Sequence, residues 1–195
     1  MILYATKQTI ERLRLPVINS LPPDVAESAR MLMARDQDNP LRSWGLKLFY
    51  FDRRKCLQCV NFATKFTIFL FDLKVEDANY IGQYIGEYLL DLFADDPEMS
   101  RCLLRMIELD RFFIFAPLKD RSIIATLNNT QTDYAFDGDR FWDYIKDGIL
   151  HTRQINHDVN FNYLFTYKSA GKKDFYHPAE IYRELVVSAY SGSAK

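Results

Sequence analysis

The chain has 195 residues, 48% of them hydrophobic, with 25 Lys and Arg against 26 Asp and Glu for a net charge of −1. With only 7 Gly, 7 Pro and 3 Cys, this composition excludes a disordered chain, a collagen-like repeat and a disulfide scaffold. The balanced charge argues against a global polyanion binder and leaves only a local basic patch for that role. No apolar run approaches the roughly 18 residues of a membrane span.

Ile2–Ala5 has the length and apolarity of a first strand. Thr6 is placed to cap a helix over Lys7–Leu13, with Ile10 and Leu13 facing inward. The breaker run Asn19–Pro23 follows, and from Asp24 onward Val25, Ala29, Leu32 and Met33 recur at helical spacing. Asp36–Arg42, which contains Pro40, reads as a loop. Leu46–Phe51, Cys56–Val60 and Lys65–Leu73 predict three strands, separated by the polar bends Asp52–Lys55 and Asn61–Thr64. Together they make an antiparallel meander over 46–73.

Ala78, Ile81, Ile85, Leu89, Leu92 and Phe93 keep helical periodicity and predict a helix over 75–94. Tyr80, Tyr84 and Tyr88 form a second stripe on it, and Gly82 and Gly86 a small-residue notch. Asp96-Pro97 is a cap-then-proline start for a helix that buries Met99, Cys102, Leu103, Met106 and Ile107. Arg111–Ala116 predicts another strand, and Ser122 reads as the cap of a helix carrying Ile123, Ile124, Leu127, Gln131 and Tyr134. Phe141, Trp142, Ile145 and Ile149 mark a further helix, and the alternation Val159, Phe161, Tyr163, Phe165, Tyr167 a late strand. His177-Pro178 opens a last helix with Ile181, Leu185 and Ala189, and 191–195 reads as a disordered tail. The expected fold is α+β: one domain over 1–190, with a mainly antiparallel sheet of the meander plus strands near 2–5 and 111–116, and helices packed on it.

Cys56, Cys59 and Cys102 are odd in number, and Met1–Thr6 has neither the basic nor the long apolar region of an export signal. Reduced thiols in the cytoplasm are expected. Cys56 and Cys59 have CxxC spacing, but on a strand that spacing sends the two side chains to opposite faces. Neither a redox pair nor half of a zinc site is read there, and no metal or cofactor is expected.

Two segments carry a resemblance: Trp44-Gly45-Leu46-Lys47-Leu48 leading into Phe51-Asp52-Arg53-Arg54-Lys55-Cys56, and Arg121-Ser122-Ile123-Ile124-Ala125-Thr126-Leu127-Asn128. With the strand and Thr-Lys helix of Ile2–Arg12 and the Asn61…Thr64 turn, their order and spacing resemble an uncharacterised bacterial and phage domain family over residues 1–135. Residues 136–190 read as an extension of that family-like core. Ala125 stands where the family often has Gly. The resemblance implies a cytoplasmic protein of bacteria, their phages or plasmids, and carries no activity with it.

Arg53, Arg54 and Lys55 put three cations in one bend, beside Asp52. Arg121 and Ser122 open a helix whose free N–H groups favour an anion. If the two meet, with Asn61, Thr64 and Asn128 in support, they form a site for a phosphate-bearing ligand or nucleic acid. The structural alternative has Asp52 capping its own turn or pairing with Arg121, and Ser122 only capping its helix. His151, His157 and His177 have no catalytic or ligand spacing, and Asp91, Asp95 and Asp96 read as a solvated helix end. Tyr80, Tyr84 and Tyr88 are candidates for an interface, because Tyr is enriched at protein contacts. These residues favour a non-enzymatic binding protein that engages a macromolecular partner, a protein before a nucleic acid, with no catalytic residue assigned. The alternative is a nucleotide- or nucleic-acid-directed enzyme built on the Asp52, Arg53, Arg54, Arg121 and Ser122 set.

Overall fold

A computed structural model describes residues 1–109, 112–136, 140–169 and 172–192. In chain order the elements are β1 (Ile2–Ala5), α1 (Lys7–Leu13), α2 (Pro23–Asp36), β2 (Ser43–Phe51), β3 (Arg54–Asn61), β4 (Thr67–Leu70), α3 (Ile81–Leu92), α4 (Pro97–Leu109), β5 (Ile114–Pro117) and α5 (Arg121–Gln131). They continue with α6 (Arg140–Asp143), β6 (Ile145–Lys146), β7 (Ile149–Leu150), α7 (Thr152–Phe161), β8 (Phe165–Ser169), β9 (Lys172–Tyr176) and α8 (Pro178–Tyr190).

The fold is α+β, around a five-stranded sheet ordered β4-β3-β2-β1-β5. The meander is present as β2, β3 and β4, all antiparallel. The expectation of antiparallel pairing fails at β1, which runs parallel to both neighbours: Ile2 faces Ser43 and Ile114, and Ala5 faces Leu46 and Pro117. The chain allows this because the stretches from β1 to β2 and from β4 to β5 are both long and helical, the crossover length that parallel pairing needs.

Strand alternation sends side chains to two covered faces. Leu3, Ala5, Trp44, Leu46, Leu48, Leu57, Cys59 and Ile68 point into the larger core, against α1, α3, α4 and α8. On the other face Ile2, Ile114 and Ala116 meet α2, Val60 meets Ile123 and Leu127 of α5, and Phe49, Cys56 and Phe69 meet Tyr134, Phe141, Ile155 and Val159. Cys56 and Cys59 therefore do face opposite ways, and all three cysteines are buried and free. Gly45 lets α5 lie directly on β2, because a Cβ there would meet Ile123 Cγ2 at 2.3 Å.

Several local expectations change. Asp120, not Ser122, caps α5, its carboxylate accepting the Ile123 N–H at 2.8 Å. The helix expected from Phe141 to Ile149 is one turn, α6, followed by the hairpin β6–β7. Asp147 and Gly148 both have positive φ there, the backbone that an Asp-Gly hairpin turn requires. Val159 and Phe161 lie on α7, not on a strand; only Phe165 and Tyr167 of that alternation do. Arg111 and the tail residues 193–195 lie outside the described residues. The cap expectations at Thr6 and Asp96 hold, through the Thr9 N–H and the Met99 N–H.

Candidate functional site

The β2–β3 bend is tight: Asp52 and Arg53 both have positive φ (46° and 62°). Two-residue hairpins need this backbone to match the strand twist, so both side chains are thrown outward and exposed. Arg54 Nη1 donates to Asp72 Oδ2 at 2.8 Å, across the sheet end. Both partners are more than half exposed, so the pair orients the guanidinium more than it stabilises the fold. Lys55 is half-buried on β3.

The structure does not bring Arg121 and Ser122 to this bend. β5 ends at the level of Ala5 and Leu46, while the bend follows Phe51. Five residues of β2 separate those levels, roughly 17 Å at the usual strand rise. α5 then climbs toward the bend: Ile123 lies on Gly45, and Asn128 accepts from Lys47 Nζ at 2.8 Å. Its mouth is thus the end remote from the bend. Asp52 has no pairing with Arg121, because the two lie at opposite ends of this stretch of sheet. Asn61 and Thr64 are buried structural groups: Asn61 donates to the Leu41 carbonyl at 2.9 Å and accepts from the Ala63 and Thr64 N–H groups.

A different convergence occurs at the bend. A cavity of about 330 Å³ is lined by Phe51, Asp52, Arg54, Phe71, Asp72 and Gly148, among others. A smaller one, about 220 Å³, shares Phe71 and Asp72 with it and reaches Tyr84 and Tyr88. A cleft of about 930 Å³ shares Leu150 and Thr152 with the first and continues past His151, Arg153 and His157 to Asp95, Asp96 and Arg183. The shared linings set these three cavities side by side, as a grooved surface from the tyrosine stripe past the basic bend to the N-terminal ends of α4, α7 and α8. Tyr84 donates to Asp77 at 3.2 Å and Tyr88 to Thr152 Oγ1 at 2.9 Å, so both form its wall. Tyr80 alone of the stripe stands exposed, its ring tilted against that of Tyr84 with centroids 6.4 Å apart.

Electrostatically the groove carries both signs. Arg183 holds Asp96 (2.5 Å) and Glu98 (3.0 Å), and Arg153 holds Asp91 (2.8 Å). The Arg183 hydrogen bond, with the Met99 N–H second, keeps the Asp96 carboxyl below the usual carboxylate range. His157 stacks on Phe161 at 4.5 Å, with Nδ1 3.3 Å from Asp158. His151 and His157, separated by their sequence spacing, thus share one cleft. Among the described residues no three His, Cys, Asp or Glu side chains gather as metal ligands would.

Beside the bend cavity, Trp142 rests on its lining residue Phe51 (centroids 4.9 Å) yet is half exposed, and Ile149 of β7, between the lining residues Gly148 and Leu150, is 65% exposed. Sequence reasoning missed this pair because it placed both residues on a helix. The Asp147-Gly148 pair was the signal for the hairpin that presents Ile149.

A family model described as a domain of unknown function (DUF6933) matches residues 2–181, so the chain belongs to that family. The match runs well past residue 135, and the segment read as an extension is largely part of the family's own domain. No curated protein matches the chain.

Proposed function

We propose that this member of the DUF6933 family is a binding protein that engages a protein partner through the groove at the β2–β3 bend, without catalysing a reaction. One observation carries the reading: the cavity beside Arg54 shares Phe71 and Asp72 with one neighbouring cavity and Leu150 and Thr152 with another, and the exposed apolar side chains of Trp142 and Ile149 stand close by. A grooved surface with apolar side chains beside it and charges of both signs suits a chain segment that carries apolar anchors and both acidic and basic residues. Trp142 and Arg54 belong to the side-chain types that dominate such contacts.

The groove gathers Arg54, Tyr84 and Tyr88, the basic-bend and aromatic elements of the sequence reading, and leaves Arg121 and Ser122 aside. An enzyme acting on nucleotides through Arg53, Arg54, Arg121 and Ser122 together would need those groups side by side. The setting we propose is the cytoplasm of a bacterium, in association with phages or plasmids. The three unbridged, buried thiols support a reducing compartment, and among the described residues no helix is long and apolar enough to cross a membrane.

The test is capture from the native host by the full chain, in parallel with Ile149→Glu and Arg54→Glu. Both positions are exposed, and the circular dichroism spectrum of each variant checks that it folds as the parent does. A partner lost with both variants supports the reading; a partner retained by both refutes it.

A further inference from the structure

Remote from the groove, a cavity of about 540 Å³ opens where the parallel strands β1 and β5 end. The chain leaves these neighbouring strands toward opposite faces of the sheet. After β1, α1 packs Leu13 into the larger core; after β5, α5 packs Ile123 and Leu127 on Val60 behind the sheet. Crevices outside the carboxyl ends of parallel strands, where successive connections diverge in this way, are the usual ligand sites of such sheets.

The lining gives the chemistry. Tyr4 and Phe62 are half-buried, with ring centroids 5.0 Å apart, and both line the cavity. Met33 and Ala116 add apolar surface. Arg30 of α2 and Lys119 of the β5–α5 loop, both exposed, bring positive charge to it and make no ion pair with a described residue. Asp120 is the acid among the lining residues, and one of its oxygens already caps α5. The anion donors are therefore the two side chains, not the mouth of the helix.

We infer that this cavity binds a free nucleoside monophosphate, its planar base against Tyr4 and Phe62 and its phosphate between Arg30 and Lys119. The volume lies within the range of small-molecule sites. A base needs the aromatic surface and a phosphate needs the unpaired cations, so a ligand with only one of these parts uses half of the lining.

The full chain is titrated calorimetrically with AMP, GMP, CMP and UMP, with the matching nucleosides, with inorganic phosphate and with single-stranded hexanucleotides. At least one monophosphate is expected to bind saturably, with its nucleoside and phosphate alone each weaker by about tenfold or more. Arg30→Ala and Lys119→Ala are each expected to weaken it by about tenfold with an unchanged circular dichroism spectrum, while Arg101→Ala, exposed on α4, leaves it unaltered. No saturable binding at millimolar monophosphate overturns the inference. So does binding indifferent to both cation substitutions, or tighter binding of a hexanucleotide than of its monophosphate. Phe62→Leu adds the aromatic half of the test, and the two exposed cation variants decide the matter even if that variant misfolds.

Discussion

Asn160 of α7 completes the hydrogen bonding of Thr67 on the edge strand β4. Its side-chain oxygen accepts the Thr67 N–H at 2.7 Å, and its amide donates to the Thr67 carbonyl at 2.6 Å. One turn earlier, Asn156 does the same for Phe69, at 2.7 and 3.0 Å. A carboxamide offers one donor side and one acceptor side, as a strand residue does. Two of them at i, i+4 therefore let a helix close a sheet edge that would otherwise invite pairing with another chain. The same contact seats α7, and with it Thr152, Arg153 and His157, against the groove.

Replacing Asn160 with Leu leaves both Thr67 backbone groups buried without partners. The expected loss is about 2–6 kcal/mol, from one to three for each orphaned group. Urea denaturation followed by circular dichroism should show the lower midpoint. A midpoint unchanged from the parent would mean that the edge is closed by packing alone.

Acid stability centres on Asp36. Burial alone would raise its pKa, but the Arg35 hydrogen bonds (2.7 and 2.8 Å) and the charges of Arg42 and the N-terminus outweigh that and hold it below the ordinary value. A depressed carboxyl pKa contributes stability that is present above the unfolded value, near about 3.9, and is lost as pH falls through the folded one. Asp36→Asn should flatten the acid limb of the stability profile. At neutral pH it should cost about 3–5 kcal/mol, because Arg42 stays buried without its carboxylate.

The thiols give an alkaline counterpart. Burial pushes Cys56 up to about 11 and raises Cys59 further. Native protein should react only slowly with a thiol reagent near pH 8, and all three cysteines should react at once in denaturant. For stability the sign is opposite to that of Asp36. The contribution is complete below the unfolded thiol value of about 8.5 and is lost as pH rises through the folded one. Rapid native labelling of either strand cysteine would contradict this placement.

Gln58 is fully buried in the middle of β3, and both of its amide atoms lack a hydrogen-bond partner among the described residues. Gln58→Met keeps the volume close and removes the unpaired polar atoms. An increase in stability of about 1–2 kcal/mol is expected in the same urea assay. A loss of comparable size would show that the amide is paired in solution.

Much of this architecture is legible in the residues themselves. Thr6 and Asp96 announce helix starts by chemistry that acts within four residues, and the strands of the meander are apolar runs bounded by polar bends. What could not be read is long-range or disguised. The parallel pairing of β1 depends on where distant strands dock, which no local pattern encodes. α7 was hidden because its sheet-facing positions include Asn156 and Asn160, so apolar periodicity counted them as solvent and left Val159, Phe161 and Tyr163 looking like alternation. At the site, grouping Arg53 with Arg121 assumed that two basic motifs meet. The sheet register instead sets Arg54 beside Asp72 and sends Arg121 to the far end of α5.

Binding through the bend groove is tested most directly by site-specific photo-crosslinking in the native host. One crosslinker is placed at Ile149 beside the groove, another at Met31, which is exposed on α2 at the β1–β5 end of the sheet. The expected result is one discrete adduct from position 149, competed away by unmodified chain, abolished by Arg54→Glu, and absent from position 31. The same products from both positions, or an adduct at 149 that survives Arg54→Glu, would contradict the assignment of the groove as the contact face.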